Sequence, residues 1–354
     1  MQSTEKQIEK AYLVGVVFSN KDDALYSLTE LKNLCETAGL NVVGKNWQYV
    51  RQVNPATIIG SGKLEEIKAE IVLNGATVVV FDCELTGSQT RNLSDYFGVK
   101  VIDRIILILD IFAQRAISSE GKLQVKLAQL KYNLPRLSEI KGTSGRFGSG
   151  GVGMRGPGET KLELDKRLAR LEIQKLEKEI DKIKKNRQVQ KKAQNTSGVF
   201  KVAIVGYTNA GKSTLLNLIT KAGIYADDKL FATLDTTSRK VYLAPNKSIV
   251  LTDTVGFISK LPHNLIDAFS STLESAKEAD LVLHVIDASN KDYKAQVSVV
   301  DEVLKNLEIK CPQIRVYNKC DKVIERTEHD GLYISAKNNI GIDDLKDKIL
   351  SYMQ

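Results

Sequence analysis

The apolar run Val202-Ala-Ile-Val205 leads directly into Gly206-Tyr-Thr-Asn-Ala-Gly211-Lys212-Ser213, and this stretch restricts the fold more than any other in the chain. A buried strand turning through G-x-x-x-x-G-K-[ST] into a helix is a phosphate-binding loop. The glycines let successive backbone N–H groups face one anion, and the helix opening at Lys212 adds the positive end of its dipole. Gly206, Tyr207, Thr208, Asn209, Ala210, Gly211, Lys212, Ser213 and Thr214 are therefore expected to wrap the phosphates of a nucleotide. Lys212 is expected to reach the β- and γ-phosphates, and the Ser213 hydroxyl to ligate Mg2+.

Three later segments, each behind its own apolar run, narrow the nucleotide. Asp253, Thr254, Val255 and Gly256 follow Ile249-Val-Leu251, which sets a carboxylate near the metal, acting through water, and a glycine N–H near the γ-phosphate. Asn318, Lys319 and Asp321 follow Ile314-Arg-Val-Tyr317. A carboxylate there can accept from both N1–H and the N2 amine of guanine, a donor pair that adenine lacks. Ser335, Ala336 and Lys337 follow Leu332-Tyr-Ile334 and supply a backbone N–H suited to guanine O6. In this order the motifs imply a GTPase that converts GTP to GDP and phosphate.

Two positions bear on its rate. Phe257 follows Gly256, where many regulatory GTPases carry the glutamine that orients the attacking water, so slow unassisted hydrolysis is expected. Asn209 places a side-chain carbonyl beside the phosphates and could help hold K+ where an arginine finger would otherwise act; its other reading is a loop-stabilising residue. The switch segment is Phe231, Ala232, Thr233, Leu234 and Asp235, followed by Thr236 and Thr237. Thr233 is the first choice for the second magnesium ligand, with Thr236 and Thr237 as alternates. Lys212, Asn209, Thr233 and Gly256 thus form the expected catalytic set.

A chain of 354 residues has room for two or three domains. Cys35, Cys83, Cys311 and Cys320 lack C-x-x-C spacing, and Met1 precedes a polar stretch, so the reducing cytoplasm is the expected compartment. No apolar run approaches the roughly 20 residues of a membrane span. A monomer is expected.

The expected fold class is α/β, in three parts. Residues 1–117 read as a small, mostly parallel α/β domain, with strands at Tyr12–Phe18, Thr77–Phe81 and Val99–Ile102. Between them one helix carries Ala24, Leu28, Leu31, Cys35 and Ala38 on one face, and another runs from Lys63 to Leu73. Residues 118–197 read as an antiparallel helical hairpin, Lys122–Leu134 and Lys161 to about Lys192, joined through the glycine-rich segment 142–158. Ala169, Ile173, Leu176, Ile180 and Ile183 form an apolar seam along its second helix. Residues 198–354 read as the GTPase domain, with a mostly parallel sheet.

Charge is concentrated on that second helix. From Lys161 to Lys192 there are twelve Lys and Arg against six Asp and Glu, in a chain of formal net charge +8. After Asp181 the run Lys182, Lys184, Lys185, Arg187, Lys191, Lys192 contains no acid. Together with Arg146 and Arg155 of the glycine-rich segment, Lys184, Lys185 and Arg187 are candidate RNA contacts.

Gly153-Met-Arg-Gly-Pro-Gly-Glu-Thr-Lys-Leu-Glu-Leu-Asp-Lys-Arg167 resembles the glycine-rich motif of the HflX GTPases. The segments Asn54–Lys63, Ile102–Arg115 and Glu120–Leu130 are similar to the amino-terminal part of that family. The resemblance implies a factor that binds the bacterial ribosome, chiefly the large subunit and its rRNA, and in its GTP form splits stalled or idle ribosomes into subunits. It also implies that Thr233 lies in the switch that closes on magnesium. Thr236 stands where that family often has proline, and Arg146-Phe147 interrupts a loop often richer in glycine. An alternative from another class is a signalling switch that binds a protein effector or a membrane surface.

Overall fold

The computed structural model describes residues 8–18, 21–140, 161–194, 199–220, 230–231, 237–260, 275–323 and 331–353. The chain divides into two compact units: residues 1–114 with 125–179, and residues 115–124 with 180–354.

The amino-terminal unit is built on four parallel strands. β1 (Lys10–Val17) is flanked by β2 (Asn41–Tyr49) and β3 (Val78–Phe81), and β4 (Lys100–Asp103) pairs outside β3, giving the order β2-β1-β3-β4. The central strands are uninterrupted apolar runs, as burial on both faces requires. The connections are α1 (Lys21–Thr37), α2 (Ser61–Asn74) and α3 (Gly87–Phe97), with α4 (Arg104–Arg115) following β4. Tyr12, Val14, Phe81, Leu93 and Val101 meet in one core with Ile67 and Ile71 of α2. A capping box starts α3: Thr86 Oγ1 accepts from Gln89 N–H, and Gln89 Oε1 accepts from Thr86 N–H.

Two long helices follow, α5 (Ser119–Ile140) and α6 (Lys161–Gln194). α5 runs through Pro135, one residue past the expected end. On α6 the seam residues Ile173, Leu176 and Ile180 are buried. Lys126 pairs with Glu172 at 2.6 Å and Lys131 with Glu177 at 2.7 Å, so surface ion pairs tie the two helices. Arg146, Arg155 and the glycine-rich segment lie outside the described residues.

The second unit holds a six-stranded sheet in the order β10-β9-β8-β5-β7-β6. Its strands are β5 (Phe200–Gly206), β6 (Thr237–Ala244), β7 (Lys247–Asp253), β8 (Leu281–Asp287), β9 (Gln313–Asn318) and β10 (Leu332–Tyr333). All pairings are parallel except β6 with β7. The described helices are α7 (Lys212–Thr220), α8 (Tyr293–Asn306) and α9 (Ile342–Ser351). Leu215 and Leu216 of α7 pack into one core with Ile204, Leu283, Val316 and Leu345. This parallel arrangement sends the carboxyl ends of β5, β7, β8 and β9 to one edge of the sheet, where such folds take their ligands.

Candidate nucleotide site

The phosphate-binding loop leaves β5 and enters α7, and its tightness explains its glycines. A Cβ on Gly206 would lie 2.2 Å from Val285 O, and Gly211 has φ 91 with Asn318 Nδ2 only 2.2 Å from where its Cβ would be. A side chain at Gly206 would have to displace the β8 backbone, and one at Gly211 would strain its left-handed backbone and push the Asn318 amide aside. Asn209 takes φ 59, the left-handed turn that asparagine tolerates.

Lys212 is buried inside this loop, its Nζ donating to Tyr207 O at 2.8 Å. Burial pushes its ammonium down to about 8, while the neighbouring Asp253 pulls the other way. Ser213 Oγ donates to Asp253 Oδ2 at 2.8 Å, so a hydroxyl and a carboxylate from two different elements meet beside the loop. Both are hard oxygen donors, the chemistry that Mg2+ prefers. Thr254 is fully buried and its Oγ1 donates to Ile204 O at 2.8 Å, fixing the strand end that carries Asp253.

Phe257 is 3% exposed. Its carbonyl accepts from Thr208 N–H at 2.8 Å and its N–H donates to Gly206 O at 3.1 Å. The residue after Gly256 is thus woven into the loop by its backbone, with a side chain that has no polar atom to offer a water molecule.

Asn318 and Lys319 do more than the motif reading assigned to them. Asn318 Nδ2 donates to Ala210 O at 2.8 Å and its Oδ1 accepts from Ala336 N–H at 3.0 Å. Lys319, at φ 61, reaches Asn209 O at 2.9 Å and Asp287 Oδ2 at 2.7 Å. These two side chains bolt the phosphate loop to both base-side segments. The available signal is a polar pair at the end of a buried strand. Asp321 Oδ1 accepts from Ser335 Oγ at 2.6 Å, and that hydrogen bond holds its exposed carboxyl below the usual range. A carboxylate able to accept more than one hydrogen bond is therefore presented beside Ser335 at this edge.

Gly206–Thr214, Asp253–Gly256, Asn318–Asp321 and Ser335–Lys337 therefore converge on one edge of the sheet. Phe231 is buried, with φ 53. Ala232, Thr233, Leu234, Asp235 and Thr236 lie outside the described residues, and Thr237 opens β6 opposite Asp253. On α6, Lys184 is half-buried and Lys185 exposed; Arg187 lies on the same helix.

Comparison with known proteins agrees with this geometry. Residues 25–113 match the family described as GTP-binding GTPase N-terminal, 115–194 the GTP-binding GTPase middle region, and 201–319 the 50S ribosome-binding GTPase. Over 352 residues the chain is 50% identical to the GTPase HflX of Caldanaerobacter subterraneus subsp. tengcongensis, covering 99% of this chain and 82% of that protein. It is 41% identical over 348 residues to the GTPase HflX of Escherichia coli, covering 95% and 81%. The crystal structure of a protein named SsGBP in complex with GDP covers 97% of this chain and 98% of its own, with a TM-score of 0.55 at 25% identity. With relatives this similar over nearly its whole length, and a phosphate loop and base-side segments brought together as described, the chain belongs to the HflX family of GTPases.

Proposed function

We propose that this GTPase binds the large ribosomal subunit in its GTP state and separates ribosomes into subunits. The observation that carries this reading is the match of residues 201–319 to a family described as 50S ribosome-binding GTPase, in a chain whose α6 ends in an acid-free basic run. In this reading binding drives the separation, because a ligand shifts an equilibrium only by its differential affinity for the two states. GTP hydrolysis then resets the protein by releasing the switch. The work is divided among residues 1–117, a hairpin at 118–197 and a GTPase domain at 198–354, and it takes place in the cytoplasm.

Within the site, backbone N–H groups of Asn209–Thr214 hold the phosphates, with the Lys212 ammonium among their oxygens. Gly256 N–H meets the third phosphate, and Asp321 with Ser335–Lys337 reads guanine. Ser213 and Thr233 would hold Mg2+, with Asp253 acting through water; when bound, the ion neutralises charge on the β- and γ-phosphates. Asn209 would help seat K+ against the same phosphates. Phe257 cannot orient water, so the free protein turns over slowly, and sodium in place of potassium slows it further. Asn209→Ala is expected to erase that difference between the salts; equal wild-type rates in both would leave Asn209 a loop residue.

The test is sedimentation of the full chain with large ribosomal subunits and, separately, with anionic lipid vesicles, in GTP analogue and in GDP. Pelleting with subunits only in the GTP analogue supports the reading. Pelleting with vesicles alone would overturn it in favour of a membrane-surface switch.

A further inference from the structure

The β6–β7 hairpin presents a surface that the nucleotide site leaves unused. From Thr237 to Thr252 the sequence contains no Asp or Glu, but it carries Arg239, Lys240 and Lys247. β6 ends the sheet, and among the described residues β7 is its one strand neighbour. Val241 is buried and packs into the core with Ile249 and Leu251, so strand alternation sends Ser238, Lys240 and Tyr242 to the opposite face. There Tyr242 is 71% exposed, and Lys240 Nζ lies 5.3 Å from the centroid of its ring. Beyond it a turn through Pro245 and Asn246, the latter at φ 61, brings exposed Lys247 opposite Ala244.

A single exposed tyrosine needs no explanation. An exposed ring with a cation over it, on an acid-free edge, matches a specific chemistry: lysines neutralise phosphates while an aromatic face stacks on an unpaired base. A lipid surface would draw on several apolar side chains, whereas Tyr242 is the one large exposed hydrophobic residue on this hairpin. The surface is also continuous with the nucleotide site. Thr237 pairs with Asp253, and Ser238 Oγ lies 2.8 Å from Thr252 Oγ1, so the hairpin continues from the strand end that contacts Ser213.

We infer that the outer face of β6–β7 is an RNA-binding surface of the GTPase domain, with Lys240 on a phosphate and Tyr242 stacked on a base. It rests on the ribosome reading above and names a contact within it. The experiment measures binding of wild-type, Lys240→Glu and Tyr242→Ala full-length protein to purified large ribosomal subunits in a GTP analogue across a salt series. Nucleotide affinity is titrated in parallel, and short-wave ultraviolet cross-links are mapped. Lys240→Glu is expected to weaken binding about tenfold and to flatten the log–log salt slope by about one. Tyr242→Ala is expected to lose about tenfold with the slope unchanged. Both should keep wild-type GTP affinity, and wild-type cross-links should fall on rRNA. If wild type binds and both variants match it, or if the hairpin cross-links to ribosomal protein, this inference falls alone. If wild type does not bind the subunits at all, the ribosome reading falls and takes the inference with it.

Discussion

Burial of charge serves different ends in the two units. In the amino-terminal unit Arg104 is 1% exposed, and its terminal nitrogens pair with Glu30 of α1 and with Asp82 just beyond β3. Asp103 accepts from the backbone N–H groups of Leu85 and Ile106 and from the Tyr132 hydroxyl of α5, while Arg136 of α5 donates to Leu85 O. These groups supply one another's partners and lock helices to strand ends. In the nucleotide unit Lys212 is as deeply placed, yet its ammonium meets a backbone carbonyl, and Thr208 Oγ1 is buried with no hydrogen-bond partner. Buried charge alone therefore does not mark a site. What sets Lys212 apart is that its hydrogen bond goes to a backbone carbonyl and not to a carboxylate, which leaves its charge for an anionic ligand to match.

The comparison breaks first at Arg104. Arg104→Ala leaves Glu30 and Asp82 buried and facing each other, and should cost the amino-terminal unit about 3–5 kcal/mol with GTP affinity unchanged. Trp47 is the chain's single tryptophan and lies in β2, so denaturant unfolding followed by its fluorescence reads this unit directly. A loss below about 1 kcal/mol would mean that the polar core is not structural.

Asp321→Asn should do the reverse. GTP should bind more weakly by about 1.5–3 kcal/mol and xanthosine triphosphate should be preferred, since its 2-oxo group accepts where guanine donates. The Trp47 transition should not move. An unchanged base preference in nucleotide titrations would remove Asp321 from the base contact.

A smaller effect concerns a pair that the nucleotide unit does keep for itself. His284 of β8 is 1% exposed with Nδ1 3.4 Å from Asp301 Oδ1 on α8, and Arg315 lies 3.0 Å from the other carboxylate oxygen. The approach of His284, ahead of that of Arg315, holds Asp301 below its ordinary value. A carboxylate depressed in the folded state adds stability above its unfolded pKa and loses it as pH falls through the folded one. Asp301→Asn should therefore cost under about 1 kcal/mol at pH 7, the pair being partly exposed. The difference from wild type should vanish in acid, measured as thermal unfolding against pH, and a difference that grew in acid would contradict the assignment.

The two units also differed in how much their sequence revealed. Phosphate chemistry fixes residue types at short spacing, so the loop, the carboxylate that ends β7 and the polar segments at the ends of β9 and β10 were legible residue by residue. The ties that hold them together were not, since Asn318 and Lys319 reach partners 108 and 110 positions away. In the amino-terminal unit α1, α2 and the buried strands followed from periodicity. β2 did not, because Gly44, Lys45, Asn46 and Gln48 interrupt it and it lies half-buried at the sheet edge. α3 announced itself only through Thr86 and Gln89. Arg104 gave no local sign, with partners 22 and 74 positions away.

The account turns on whether nucleotide occupancy in one unit controls a ribosome outside it. Sucrose-gradient profiles of whole ribosomes mixed with the full-length protein and a non-hydrolysable GTP analogue test this most directly. Wild type should convert the ribosome peak into separate subunits. Ser213→Ala should leave the peak whole, because the competent state is too rarely populated. Charge reversal at Lys184, Lys185 and Arg187 should retain GTP affinity yet split poorly, with a flatter salt dependence. An intact ribosome peak with saturating wild-type protein and analogue would contradict the account.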